Sequence, residues 1–308
     1  MSAQSFVFEG GAHKHELLVE LIEDLGGWII ARKILAQEST ITFTIPEADV
    51  PLVREKVLEL RGSLREQPLL GTEIAVVAPT IARHHLPHVL CDIAEYMRRM
   101  GSKTNMIGLA RGVGQRIAQI STREKNIIEE HDAAIFVFGN FEHCLKEYKW
   151  KIYQDLTVPF VVTAGPDLKS IPYTNFYVGN VGRLPYRLRT LDEIDKLQEI
   201  ANTLAQALRK VRNFLENDPP LLPSFAIKEE IERQLPEIKN IFSPTPIVPQ
   251  LRGLRIKLPF YQLRDKIANI KIGEYLLKEI ADIHKSNFRD YVLIRLLLQS
   301  QISSKEVI

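Results

Sequence analysis

Residues 72–116 contain the pattern that most constrains the fold of this chain. The apolar run over 74–79 is short enough to be one buried strand. After a polar turn, apolar residues recur from Leu90 at the spacing i, i+3, i+4 and i+7, and Gly101 is placed to end that helix. A second apolar run then breaks at a glycine-rich turn. This order predicts a βαβ unit, and ligands of open parallel sheets bind at the carboxyl ends of the strands.

The same alternation of strand and helix continues to residue 182 and predicts a doubly wound, mostly parallel sheet. Further apolar strands are predicted at 106–110, 133–138, 158–163 and 176–178. A long amphipathic helix is predicted over 191–217. In a flavodoxin-like strand order, the strands at 74–79 and 133–138 would be neighbours.

Residues 5–69 read as β-α-β-β-α-β, the order of a small ferredoxin-like α+β sandwich. Because this region has no cysteine, it is not an iron–sulfur ferredoxin. Its expected role is packing or partner contact.

A proline-stiffened linker over 218–223 precedes a mixed C-terminal segment. There we predict a hairpin that turns near Arg252, a helix over 272–283, a last strand over 291–298 and a disordered polar tail from Gln299. The predicted fold is α/β with three domains. They are a ferredoxin-like α+β domain (1–70), a Rossmann- or flavodoxin-like doubly wound domain (71–217) and a smaller α+β partner-binding segment (218–308).

Composition narrows the classes of function. A net charge of +2 over 308 residues, without a basic run, gives no argument for nucleic-acid binding. No apolar segment is long enough to predict a membrane span, and the N-terminus does not resemble a signal peptide. Two cysteines fit a reducing cytoplasm, where we expect the protein, and are too few for a zinc or iron–sulfur site built from cysteine alone.

The candidate metal ligands are Cys91, Cys144, His84, His85 and His88. Each cysteine lies early in a helix that follows a predicted sheet strand, and His88 lies three residues before Cys91, on the same helix face. Thiolates and imidazoles bind transition metals or clusters, and another chain would complete such a site. In the alternative interpretation, the cysteines pack as small apolar residues and the histidines contact a partner.

Arg111, Gly112 and Gly114 form the second candidate site, where backbone amides and one guanidinium would hold an anion. The turn is neither a Walker A motif nor a dinucleotide fingerprint, and a loop whose glycines permit positive φ also explains it. The loops over 163–166 and 179–183 end strands on the same edge and fit either a pocket floor or ordinary turns. We recognise no nucleophile–base pairing.

Long strings of this sequence resemble the methanogenesis marker protein 7 family. They are GTEIAVV (71–77), ARHHLPH (82–88), CDIAEY (91–96), KTNMIGLARGVG (103–114) and FGNFE (138–142), with shorter strings at 8–11, 144–146, 243–247 and 253–258. The resemblance covers nearly the whole chain.

The resemblance implies a non-catalytic subunit of the ATP-dependent assembly that reductively activates methyl-coenzyme M reductase, by bringing the nickel of its tetrapyrrole to Ni(I). It implies as partners the reductase, its operon C protein, other methanogenesis marker proteins and a separate ATPase component. It also implies a complex iron–sulfur cluster shared with other subunits, as part of an electron path. The alternative hypothesis is a stand-alone α/β enzyme that binds a phosphorylated small molecule at the turn of Arg111 to Gly114.

Overall fold

The computed structural model describes residues 3–79, 89–110, 119–182, 190–240, 243 and 245–305. Contacts divide the chain into two compact units. The first comprises residues 1–70 together with Arg99–Gly101, and the second comprises Gly71–Arg98 and Ser102–Ile308. The predicted boundary between residues 217 and 218, within the second unit, stays a prediction.

The first unit is an antiparallel sheet with two helices. Its elements are β1 (Ala3–Gly11), α1 (His15–Asp24), β2 (Trp28–Leu35), β3 (Glu38–Pro46), α2 (Val50–Glu59) and β4 (Ser63–Glu66). The strand order β2-β3-β1-β4 is that of the predicted ferredoxin-like sandwich. Alternate residues of β3, from Ile41 to Ile45, are buried, and α1 and α2 bury Leu18 and Val53 in the same core. Buried residues recur every second position in β3 and about every 3.6 positions in the helices, so that strand and helices share one core.

The second unit begins with a parallel sheet. Its elements are β5 (Glu73–Ala78), α3 (Val89–Arg99), β6 (Lys103–Gly108), α4 (Thr122–Glu129), β7 (Ala133–Val137), α5 (Glu142–Glu147), β8 (Phe160–Thr163), β9 (Tyr177–Val178) and α6 (Thr190–Asn217). Within the described residues the strand order is β6-β5-β7-β8-β9, and every pairing is parallel. All residues of β5 and β7 are buried, as expected for strands covered on both faces. The predicted α/β fold class, with β5 beside β7, is confirmed.

The C-terminal region forms a smaller antiparallel sheet with helices. Its elements are α7 (Ser224–Gln234), β10 (Ile247–Gln250), β11 (Gly253–Ile256), α8 (Phe260–Ala268), β12 (Lys271–Ile272), β13 (Tyr275–Leu276), α9 (Leu277–Ile280), β14 (Ala281–Lys285), β15 (Val292–Leu296) and α10 (Gln299–Lys305). The order of the sheet is β10-β11-β15-β14, and the predicted hairpin is β10 and β11. The α+β class predicted for this region is confirmed.

Two local predictions for this region are wrong. The predicted helix over 272–283 is broken by Gly273, whose φ of +61° makes the turn between β12 and β13. The tail predicted to be disordered contains α10, where Ile302 packs on the core and Ser300 donates hydrogen bonds to Asp218 through its backbone N–H and its hydroxyl. The first error overlooks a local glycine turn, and the second arises because contacts distant in sequence override the local pattern.

A buried ion cluster joins β5 to the C-terminal sheet. Arg255 of β11 is fully buried, and its Nε lies 2.9 Å from Oε2 of Glu73, the first residue of β5. Its Nη1 donates to Oε2 of Glu130 at 2.8 Å and to the Ser286 hydroxyl at 2.5 Å. Gln250 adds a further contact by donating to Glu73 Oε2 at 2.6 Å. Within the described residues every buried side-chain polar atom has a partner, which buried charges require.

We expect Arg255→Met to lower the free energy of unfolding of the second unit by about 3–5 kcal/mol, because two buried carboxylates lose their counter-charge. Urea unfolding followed by Trp150 fluorescence measures this in a Trp28→Phe background, since the chain has two tryptophans and Trp150 packs on the core of the parallel sheet.

The matched control is Arg264→Met, which removes an exposed guanidinium 3.5 Å from Asp265 and is expected to change the free energy by less than about 0.5 kcal/mol. A loss for Arg255→Met as small as that of the control would contradict the role given to the cluster.

Candidate functional site

The carboxyl ends of the parallel strands are the candidate site, as the topology requires. The segments 80–88 and 111–118, which follow β5 and β6, lie outside the described residues. His84, His85, His88, Arg111, Gly112 and Gly114 belong to these segments, so their predicted roles stay predictions.

The two cysteines lie on helices that follow neighbouring strands. Cys91 is in the first turn of α3 and exposed, because Leu90, Ile93 and the other apolar residues of this helix face the core. Cys144 is in α5, partly buried. β5 and β7, the strands that precede these two helices, are neighbours in the sheet, as the sequence predicts. Within the described residues, no three or more His, Cys, Asp or Glu side chains form a group that could hold a metal ion.

Three loops at the carboxyl edge meet at Asn140, which follows β7. A Cβ added to Gly165 would lie 1.9 Å from Asn140 Oδ1, and one added to Gly182 would lie 3.2 Å from the same atom. A side chain at Gly165 would therefore have to displace the Asn140 side chain, whereas at Gly182 the contact would only be tight. The backbone fixes this arrangement, since Val181 N–H donates to Ala164 O at 2.9 Å.

The sequence predicts either a pocket floor or ordinary turns for the loops after β8 and β9, and it gives Asn140 no role. The sequence feature that could have indicated this role is an asparagine directly after Gly139 at the end of a strand. Such a pair is also common in ordinary turns. Asn140 and Gly139 are exposed, and no atom lies within 4 Å of a Cβ added to Gly139. The edge thus presents an amide side chain and peptide groups to solvent, which are groups that hydrogen-bond to a polar ligand or a partner's backbone.

The opposite end of the parallel sheet holds strongly perturbed titratable groups, beside the ion cluster. Burial opposes ionisation of Glu130, but hydrogen bonds from Arg255, Ser286 and Asn287 outweigh it and hold the pKa of Glu130 below its ordinary value. Burial lowers the pKa of His131. The ring is neutral, since Nδ1 donates to the Ile127 carbonyl at 2.8 Å while Nε2 accepts from an amide.

Asp132 is the group in this region whose charge changes near neutral pH. Burial raises the pKa of Asp132 to about 7, against the effects of hydrogen bonds from the backbone N–H groups of Glu73 and Leu251 and of the charge on Arg295. The N–H groups lie 2.8 and 3.0 Å from its carboxyl oxygens, so one side chain bridges β5 and the turn between β10 and β11. Perturbed pKa values often mark functional sites, but structural networks produce them too. Here every group takes part in packing one sheet against the other.

Residues 3–270 match the family described as Methyl-coenzyme M reductase operon protein C. The chain belongs to this family. A protein of Methanocaldococcus jannaschii named Uncharacterized protein MJ0094 is 45% identical over 295 residues, which are 96% of the present chain and 94% of the relative. The family thus relates the chain to the methyl-coenzyme M reductase operon, in agreement with the coarser part of the resemblance.

The match also changes one relation that the resemblance implied. The resemblance implies the operon C protein as a partner of this chain. The chain, however, itself belongs to the family described as operon protein C. The narrower assignment to marker protein 7 stays a prediction. Within the described residues, no helix combines the length and apolarity needed to cross a membrane.

We expect Gly165→Ala to lower the free energy of unfolding by about 1 kcal/mol or more, because its methyl group must displace the Asn140 side chain. In an Asn140→Ala background most of this loss disappears, and the double-mutant cycle gives a coupling of about 0.5–3 kcal/mol. Urea unfolding of the four proteins measures the coupling. Additive losses would show that Asn140 does not lie over Gly165.

We compare the free energy of unfolding of wild type with that of Asp132→Asn at each pH. The value for wild type minus the value for the variant should fall by about 3 kcal/mol between pH 5 and pH 8. Because the pKa of Asp132 is about 7 in the folded protein and 3.8 for the free side chain, the folded state holds a proton that the unfolded state has lost. The stabilisation is complete below pH 3.8 and disappears as the pH rises through 7. Urea unfolding at several pH values measures the difference, and a constant difference would contradict the assignment.

Proposed function

We propose that this chain is a non-catalytic subunit of the ATP-dependent assembly that reductively activates methyl-coenzyme M reductase, and more narrowly a marker protein 7. The observation that carries the proposal is the family match over residues 3–270, which relates the chain to the reductase operon. The 45% identity over nearly the full length of the Methanocaldococcus jannaschii protein supports a shared role for the whole chain. The proposed role is to hold other components in place while the nickel of the reductase is brought to Ni(I).

The proposed partners are the reductase, other methanogenesis marker proteins, the ATPase component and, as a separate chain of this chain's own family, the operon C protein. The first unit, the parallel sheet and the C-terminal sheet each carry exposed large apolar side chains, among them Leu58, Phe141 and Tyr261. Tyrosine and phenylalanine are enriched in protein interfaces. These side chains are available for contacts with partner proteins.

An iron–sulfur cluster shared with other subunits is the proposed cofactor. Such clusters take about four thiolates, and this chain has two cysteines, Cys91 and Cys144. The chain's thiols therefore fit a shared site but not a complete one. Cys91 is exposed and on a surface helix, which suits a ligand offered to another chain. When bound, the cluster would supply one-electron transfer.

The experiment is anaerobic affinity purification of the tagged protein from its own cells. We expect the reductase, an ATPase and other marker proteins to co-purify, because the proposal makes the chain a subunit of their assembly. Mass spectrometry identifies the proteins, and an untagged strain is the control. Recovery of the protein alone, as a monomer or homo-oligomer, would contradict the proposal.

The purified assembly also tests the cofactor. Cys91→Ser and Cys144→Ser are expected to lower its iron content and its visible absorption while the subunits stay together, because serine is a poor ligand for iron–sulfur iron. Asp92→Asn, a change at another exposed position of α3, is the matched control. If both cysteine variants keep the iron content of the control, the thiols are not ligands.

A further inference from the structure

Lys103 and Lys257 are half-buried lysines without a partner in the part of the chain that the structure describes. Lys103 is the first residue of β6, and Lys257 directly follows β11. Within the described residues neither ammonium group makes a hydrogen bond or an ion pair. Removing a charge from water is unfavourable unless an opposite charge compensates for it. Both lysines therefore gain from an anion that these residues do not supply.

Strand register directs the two lysines to the same region. Lys103 is the ladder partner of Glu73, so the two side chains leave the sheet on the same face. Asn105, two positions along β6, lies on that face too, since its amide donates to Glu73 Oε1 at 2.7 Å. Arg255 reaches the same carboxylate from β11, two positions before Lys257. The Lys257 backbone N–H donates at 2.9 Å to the residue before β10, so the ladder and its alternation continue to Lys257.

The two lysines are close enough to repel each other. Burial lowers the pKa of Lys103, and the charges of Lys257 and Arg98 lower it further. Arg98 itself pairs with Glu95 at 3.1 Å. Burial also lowers the pKa of Lys257, where the charge on Glu73 opposes the effect and two neighbouring arginines strengthen it. Both ammonium groups thus lie in a region of excess positive charge.

The charges of the described residues around the lysines do not balance. Two carboxylates lie there, Glu73 and Glu130, and Arg255 binds both of them. The cations are Lys103, Arg255, Lys257 and Arg289. Four positive charges against two negative ones leave an excess of two.

Arg289 is the exposed member of this group. Its Nη1 donates to the Tyr291 hydroxyl at 3.4 Å, and its guanidinium lies 5.6 Å from the centroid of the Phe288 ring. The adjacent Asp290 does not neutralise it, because Lys285 pairs with that carboxylate at 3.1 Å. The guanidinium therefore keeps donors for an anion at the solvent side of the lysines.

We propose that Lys103, Lys257 and Arg289 bind the divalent phosphate group of a small molecule. The excess of two positive charges matches the charge of such a group near neutral pH. Lysine and arginine form charge-assisted hydrogen bonds with phosphate oxygens. The site lies at the amino end of the parallel sheet, whereas the predicted anion-binding turn at Arg111 follows the carboxyl end of β6. The inference does not depend on the proposed function.

Larger polyanions fit these residues less well. Nucleic acids are bound by many cations that neutralise successive phosphates, and here the excess is two charges at one place. An acidic protein segment supplies single charges on separate side chains, whereas a phosphate brings about two charges to one point.

Isothermal titration calorimetry of the full-length chain with inorganic phosphate at neutral pH tests the site. We expect saturable binding at one site per chain. Lys103→Gln and Lys257→Gln should each weaken the binding by about ten-fold or more, because each removes a charge-assisted hydrogen bond. The matched control is Lys228→Gln, since Lys228 is also half-buried but lies 3.7 Å from Glu232. It should bind phosphate as wild type does.

Urea unfolding gives a second measurement. Without phosphate, Lys103→Gln and Lys257→Gln should keep or raise the urea midpoint, because each relieves repulsion between like charges. Phosphate should raise the midpoint of wild type and of Lys228→Gln but not of the other two variants. Chloride at the same ionic strength controls for screening.

The outcomes decide the proposal. A lack of saturable binding, equal binding by wild type and the Lys103 and Lys257 variants, or equal stabilisation by chloride would overturn it. If phosphate does not bind but Lys103→Gln loses proteins that co-purify with wild type, a partner's carboxylates occupy the site; that result overturns this inference and leaves the proposed function standing. Glycerol phosphate identifies the source of the phosphate group. Binding as tight as that of inorganic phosphate supports a phosphate ester, and failure to bind overturns the assignment to a small organic molecule.

Discussion

The ion pairs of Arg255 with Glu73 and Glu130 are the interaction on which the second unit depends. A fully buried guanidinium is unfavourable unless carboxylates surround it, and those carboxylates belong to β5 and to the turn before β7. The C-terminal sheet therefore has one position in which its arginine is neutralised. Glu130 extends the constraint, because its carboxylate also accepts hydrogen bonds from the Ser286 hydroxyl and the Asn287 backbone N–H. We therefore infer that the cluster specifies how the two sheets pack.

Because the ion cluster lies at the amino end of the parallel sheet, the two ends of this sheet differ in character. The fully buried charged side chains at its amino end are satisfied within the described residues, so they hold the unit together. At its carboxyl end the loops around Asn140 carry glycines and expose polar groups. Buried charges at one end and exposed polar groups at the other are compatible with the proposed role as a subunit.

Local patterns predicted the fold because each element carries its own periodicity. The apolar runs of β5 and β7 and the amphipathic stripe of α3 are readable without a structure. The ion cluster was not predicted, because Glu73 and Arg255 are 182 positions apart and each alone resembles a surface charge. Asn140 was missed for the same reason, since its partners Gly165 and Gly182 lie on other loops. Sequence placed Cys91 and Cys144 on helices after neighbouring strands, but strand order alone does not give the position of a thiol.

Native-state hydrogen exchange tests most directly whether the Arg255 cluster makes the parallel and C-terminal sheets one cooperative unit. Amides of β5 and β11 should then exchange with the same free energy of opening, and Arg255→Met should lower both values together. The amide of Leu251, which donates to Asp132, should follow them. If the amides of β11 exchange at a clearly lower free energy than those of β5 in wild type, the two sheets open separately. That result would contradict the central place given to the cluster.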